Sequence, residues 1–281
     1  MKKVSVLIAL FWLTQLPAYP ADFYLKLGAG LGHMNFPNLN RVLNDWEKRQ
    51  VLEAQTRNTW SYISGETGAL HSSFDLEGEL ILNFHRNGAV SFSSGVVYTD
   101  ISAEKTNLVI ERNLGPFDNI HPFKVSGFPF IVSAYFKLPL NPETQLFLRA
   151  GAGIMTARLV EQSGFKKAEN TKYVLELEQN SLGTGPVYLG STGAFYQITT
   201  GTTIFIEGAY RNSRIKNFTA SGQENDAVLY IYNKYYSDLD TWSKVLRLHD
   251  NKPEGDDIAS VEKASVDLSG FSLKLGVMIR F

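Results

Sequence analysis

His71, Ser73 and Asp75 form the pattern nearest to a catalytic one in this 281-residue chain. A serine nucleophile needs a base within reach, and histidine is the usual base. If residues 71–75 are extended, alternate side chains project to one face, so all three point the same way. His71 and Ser73 are therefore the candidate catalytic residues. The plainer reading is a polar strand end at a rim, and the shortness of the pattern favours it. The remaining histidines do not extend the pattern. His33 ends an apolar alternation, His85 falls in a turn, and His121 and His249 fall in connections. No pair has metal-ligand spacing, so no metal is expected. Gly28, Gly30 and Gly32 alternate without a following helix pattern, which excludes a phosphate cradle. No cofactor is expected.

A larger polar set consists of Lys26, Asp75, Glu77, Glu79, Lys137, Arg149, Glu207, Arg211, Lys274 and Arg280. Each lies on the polar side of a segment whose other side is apolar. Eight segments alternate in this way, as strands with one apolar face do. They run from Phe23 to Gly32, Ser73 to Phe84, Val90 to Asp100, Phe128 to Leu138, Gln145 to Met155, Val187 to Phe195, Thr203 to Arg211, and Phe271 to Phe281. In the sixth, Val187, Leu189 and Phe195 are expected to face outward, diluted by Ser191 and Gly193. Closed into a ring, the polar faces would converge on a narrow lumen. There acids and bases must pair, because an isolated buried charge is very costly. The set is expected to be a salt-bridge network filling the lumen.

The connections alternate in length. Those after the second, fourth and sixth segments are short, and His85-Arg86-Asn87-Gly88 is a tight-turn signal. The others are long. Spaced apolar residues between Leu39 and Asn58 suggest a helix over the mouth. The connection from Asn212 to Glu262 carries the run from Tyr230 to Tyr236, which is either a contact surface or an extra hairpin. A hairpin joining the wall would give ten strands.

The chain contains no cysteine, its net charge is −1, and its composition is 44% hydrophobic. No nucleic-acid partner is implied. Lys2 and Lys3 precede an apolar run from Val4 to Leu13, too short to span a bilayer comfortably. Residues 1–21 are read as a signal peptide cleaved after Ala18 or Ala21, and residues 22–281 as the barrel domain.

A terminal strand with apolar Val277, Ile279 and Phe281, behind such a leader, resembles the last strand of bacterial outer-membrane β-barrels. In that family the strand resembles the signal read by the barrel-assembly machinery. The whole pattern is similar to the OmpA-type and OmpW-type small barrels. The resemblance implies an all-β, eight-stranded, antiparallel, up-and-down transmembrane barrel with long extracellular loops, ten strands being the alternative. It also implies an outer-membrane location and contact with outer-membrane lipids and lipopolysaccharide. The expected protein is a monomer, non-enzymatic, presenting loops for adhesion, partner contact or envelope integrity. Two alternatives stand beside it. His71-x-Ser73 has the spacing seen in PagL-like lipid A deacylases, pointing to a lipid A or phospholipid hydrolase. OmpW-type barrels point to a narrow conduit for hydrophobic compounds.

Overall fold

Period-two alternation closes this chain into a ring. The computed structural model describes residues 22–34, 36–56, 61–67, 71–100, 106–112, 115–120, 123–167, 174–221 and 227–281. The leader and His121 lie outside them. The elements run β1 (Asp22–Met34), α1 (Pro37–Thr56), β2 (Ser61–Thr67), β3 (Ser72–His85), β4 (Gly88–Asp100), β5 (Thr106–Arg112), β6 (Gly115–Ile120) and β7 (Phe123–Pro139). They continue with β8 (Thr144–Lys167), β9 (Val174–Gln197), β10 (Thr202–Asn212), β11 (Arg214–Ala220) and β12 (Val228–Tyr236). Last come β13 (Thr241–His249), β14 (Ile258–Lys263), β15 (Ser265–Asp267) and β16 (Gly270–Arg280).

Eight strands close on themselves in the order β1-β3-β4-β7-β8-β9-β10-β16, every pair antiparallel. Closure leaves no free edge within the ring. The register opposes β1 Leu25 to β16 Ile279 and β1 Lys26 to β3 Glu79. The β12–β13 hairpin lies outside this ring, so the wall has eight strands and not ten.

Three tight connections gather at one end, together with Asp22 and Phe281. Side chains build two of them. Asn141 Oδ1 accepts from the Glu143 and Thr144 amides at 3.0 and 2.7 Å. Thr199 Oγ1 accepts from the Gly201 and Thr202 amides at 3.3 and 3.1 Å. Both satisfy backbone donors that a bare turn would leave unpaired. We call this the turn end and the opposite one the cap end.

At the cap end the cylinder continues beyond the ring. The long upper parts of β8 and β9 stay paired. β6, β5 and β2 extend the sheet beyond β8, and β11, β12 and β13 extend it beyond β9. This upper sheet has two terminal strands, β2 and β13, and α1 packs against both. The helix starts on Pro37, which has no amide hydrogen to leave unsatisfied in the first turn. It buries Leu39, Val42, Leu43, Trp46 and Ala54. Asp45 Oδ2 accepts from the Lys244 amide at 3.2 Å, and Ser243 Oγ donates to the Asp45 carbonyl at 3.3 Å, so the helix covers part of the β13 edge.

One strand face differs from expectation. Val187, Leu189 and Phe195 of β9 are buried inside, while Tyr188 and Tyr196 are exposed outside. The inner face of β9 is apolar because Val187 and Leu189 join the core beneath α1 and Phe195 joins an aromatic layer lower down. Its outer face is weakly apolar: Tyr188, Gly190, Thr192, Ala194, Tyr196.

Candidate functional site

The lumen has layers, each set by what the alternating residues bring inward. Midway, the charged side chains form one continuous network. Arg211 reaches both Asp75 oxygens at 3.1 Å. Lys274 lies 3.8 Å from Asp75 and 2.5 Å from Glu77. Arg149 meets Glu77 at 2.7 Å, Glu79 at 3.1 Å and Glu207 at 3.3 Å. Lys26 pairs with Glu79 at 3.0 Å and also with Glu207. Neutral groups complete the shell: Tyr135 donates to Glu79 at 2.8 Å, Ser91 donates to Glu79 at 2.5 Å, and Ser93 accepts from Arg149 at 2.8 Å. Four acids and four bases thus close on one another, tying together β1, β3, β4, β7, β8, β10 and β16. Buried charges are tolerated when paired and hydrogen-bonded in this way.

Below the network lies an aromatic layer of Tyr135, Phe147, Phe195 and Phe205 with Ile81 and Met278. The Phe147 and Phe195 rings stack at 4.4 Å, and Lys26 Nζ sits 4.5 Å from the Phe205 ring centre. Glycine makes the room. A Cβ on Gly28 would come within 2.8 Å of the Phe205 ring, and one on Gly193 within 2.7 Å of the Phe147 ring. Above the network an apolar core runs from Val97, Ile131 and Met155 up to Leu229, Ile231 and Leu246 under Leu39, Val42 and Leu43 of α1.

Two members of the sequence-derived set are placed differently. Arg280 is exposed at the turn-end rim and pairs with Asp22 at 2.7 Å. Its position has inward parity, but it lies past the level at which the lumen closes. Lys137 is inside, but its Nζ donates to Asn83 Oδ1 at 2.5 Å and forms no ion pair among the described residues.

His71 and Ser73 are not brought together. His71 is exposed, with its ring stacked on His33 at 5.4 Å and 14°. Ser73 is buried in the wall, and its Oγ has no hydrogen-bond partner among the described residues. Residue 71 precedes the first residue of β3, so strict alternation does not govern its direction. Val277, Ile279 and Phe281 are exposed on the outer face of β16 and just beyond it.

The outer surface of the ring is apolar on seven of its eight strands and weakly so on β9. Leu27, Leu80, Phe92, Val132, Leu148, Ile206 and Leu275 all lie on it, exposed, with no charged residue among the outward positions of the ring between Leu25 and Leu31 on β1 or between Phe271 and Ile279 on β16. Phe23, Tyr98, Phe128 and Tyr210 lie exposed nearer the ends, while Phe195, expected to face outward, is inside. An apolar belt flanked by aromatics is the surface that lipid requires of a spanning barrel. The architecture is that of a small, eight-stranded antiparallel β-barrel with an apolar outer belt.

No protein-family model and no curated protein matches the chain. Among solved structures it is similar to the outer membrane protein OprG from Pseudomonas aeruginosa, at 12% identity over 93% of this chain and 96% of that one, with a TM-score of 0.36. It is also similar to the outer membrane protease OmpT from Escherichia coli, at 10% identity over 93% and 96% of the two chains, with a TM-score of 0.32. The barrel described above rests on this chain's own strand pairing.

The run from Tyr230 to Tyr236 divides by depth. Tyr230 and Tyr232 are buried in the cap, whereas Tyr235 packs at 5.2 Å against Trp242, which is 50% exposed. Arg49 of α1 donates to the Tyr236 hydroxyl and lies 4.6 Å from its ring centre. The outward aromatic surface is therefore Tyr235 with Trp242, beside α1.

Deeper in the same hairpin, the Tyr232 hydroxyl lies 3.1 Å from His249 Nε2. Burial holds the His249 imidazole below its usual value, and Arg247 adds to this against the opposing pull of Asp250. The unfolded hairpin therefore takes up the proton first. Its contribution to cap stability is full above the ordinary histidine value of about 6.5 and declines as the pH falls through it. Protease resistance of the cap should fall between neutral pH and the acid side of that range, and less so in His249→Asn. Equal loss in both proteins would assign the effect to other groups.

Proposed function

We propose that the protein spans the bacterial outer membrane through its eight-stranded ring, with the turn end in the periplasm, and acts non-enzymatically by presenting the ordered cap to partners outside the cell. Residues 1–21 serve as the cleaved leader, and outer-membrane lipids and lipopolysaccharide surround the belt of a monomer. The observation that carries this reading is the filled interior. A charge network, an aromatic layer and an apolar core occupy successive levels, so the elaborated surface left for function is the cap. Among the described residues, the buried Ser73 without a hydrogen-bond partner and the exposed His71 give the hydrolase reading no paired nucleophile and base.

Attachment tests the proposal. Cells displaying the protein should bind mucin-coated and abiotic surfaces more than cells displaying a Tyr235→Ser, Trp242→Ser variant at equal surface level. Equal attachment, together with a protein-dependent mass change in lipid A, would overturn it in favour of an outer-leaflet enzyme.

The exposed row of Val277, Ile279 and Phe281 fits a role in assembly. Deleting Phe281 should lower outer-membrane levels at native expression severalfold, yet leave the denaturant midpoint of inserted protein nearly unchanged. The deleted residue contributes one backbone bond to the wall, from its amide to the Phe23 carbonyl at 3.0 Å. Unchanged membrane levels would remove the assembly role.

A further inference from the structure

The turn-end mouth holds a cup of about 300 Å³. Its lining includes Asn83, Lys137, Gln145, Gln197, Phe195 and Met278. Lys137 is 3% exposed. Its ammonium donates to the Asn83 amide oxygen and lies 5.8 and 5.7 Å from the ring centres of Tyr24 and Phe195. All these partners are neutral. The four acids of the lumen are already matched by Lys26, Arg149, Arg211 and Lys274. Lys137 is thus a fifth base with no carboxylate within ion-pair distance among the described residues, Glu79 and Asp22 acting on it only from farther off. A buried ammonium in that position carries a desolvation cost that an amide oxygen and two ring faces offset only in part.

The rim does not supply the missing charge. Asp22 is held by Arg280 at 2.7 Å, and Glu143 is exposed, accepting from the Tyr196 hydroxyl at 3.3 Å. The walls offer amide donors from Gln145 and Gln197, and the floor is the apolar surface of Phe195 and Met278. One buried ammonium outside any ion pair, amide donors beside it, an apolar floor and a rim of mixed charge define a complementary guest.

We propose that the cup binds a small organic monocarboxylate, its carboxylate paired with Lys137 and its apolar part resting on Phe195 and Met278. A single buried ammonium matches one negative charge, and the rim, where Arg86 stands with Asp22 and Glu143, adds no net positive charge for a second. The volume lies at the lower end of small-molecule sites, where a compact guest fits. The carboxylate is either that of a free acid or the C-terminus of a peptide. The site is at the far end from the cap and independent of the surface role.

Calorimetric titration of the folded full-length protein in detergent micelles tests the assignment, with benzoate as probe and benzamide as its neutral isostere. Benzoate should bind saturably, and benzamide at least about tenfold more weakly. Lys137→Met, which keeps an apolar stem, should lose benzoate binding by a similar factor. Asn83→Asp places a carboxylate beside the ammonium, so it should abolish benzoate binding while the protein stays folded. This second variant decides the matter if Lys137→Met fails to fold. The tripeptide Ala-Ala-Phe with a free C-terminus, compared with its amide, separates the sources. Competition by the free form alone assigns peptide termini, and benzoate binding without competition assigns free acids. No saturable benzoate binding, equal binding of benzamide, indifference to Asn83→Asp, or tighter binding of inorganic phosphate would overturn the proposal.

Discussion

Replacing Arg149 by methionine should destabilise the folded barrel by about 3–5 kcal/mol, the range seen when one partner of a buried ion pair is removed. Arg149 touches three carboxylates, Glu77, Glu79 and Glu207, and also donates to Ser133 and Ser93. Methionine fills much of the space and supplies none of those donors. Lys26 and Lys274 then remain to serve three buried acids. Arg149→Lys should fall between the parent and the methionine variant, since it restores the charge without the planar fork. Adding Glu77→Gln to Arg149→Met should recover part of the loss, because it removes one stranded carboxylate. Urea unfolding of vesicle-inserted protein measures all three. An Arg149→Met protein within about 1 kcal/mol of the parent would mean that water, not protein, solvates these acids.

A second large effect is expected at the cap. Replacing Val228–His249 by a short Gly-Ser linker removes β12 and β13, and with them Leu229, Ile231 and Leu246 from the apolar core under α1. It also removes the β13 edge to which Asp45 is bonded. The eight ring strands lose little: β12 and β13 pair with none of them, β12 joining β11 at Thr219 opposite Val228, and the Leu248 amide donating to Gln179 of β9 at 2.7 Å. The barrel should still show a heat-modifiable gel shift. α1 should lose its seat, and protease should cut within Pro37–Thr56 in the variant while sparing the parent. A chain that no longer forms a barrel would show that the cap is required for the ring.

All eight wall strands were legible, because lipid outside and a packed lumen inside impose a strict period of two on every one of them. The direction of β9 was not. Val187, Leu189 and Phe195 look lipid-facing when lipid is taken to be the only apolar surroundings, whereas here the lumen above and below the charge network is apolar too. Arg280 was misplaced for a related reason: parity gives a face but not a height, and its height is the rim. The helix over the mouth was visible in the spacing of Leu43, Trp46, Val51 and Ala54. Its docking was not, since β13 lies about two hundred residues away in sequence, as the Asp45 and Lys244 pair shows. Likewise the Tyr230 to Tyr236 run marks aromatic content, and only the pairing of β12 with β13 and β14 separates its buried half from its exposed half.

Single-channel recording in planar bilayers tests the central claim most directly, that the interior is filled from the aromatic layer to the core under α1. The purified, refolded protein should insert and give no stable conductance steps, in low or high salt, under either polarity. Long-lived porin-like channels would contradict the account, since they require a continuous aqueous path through the level held by Arg149 and its three carboxylates.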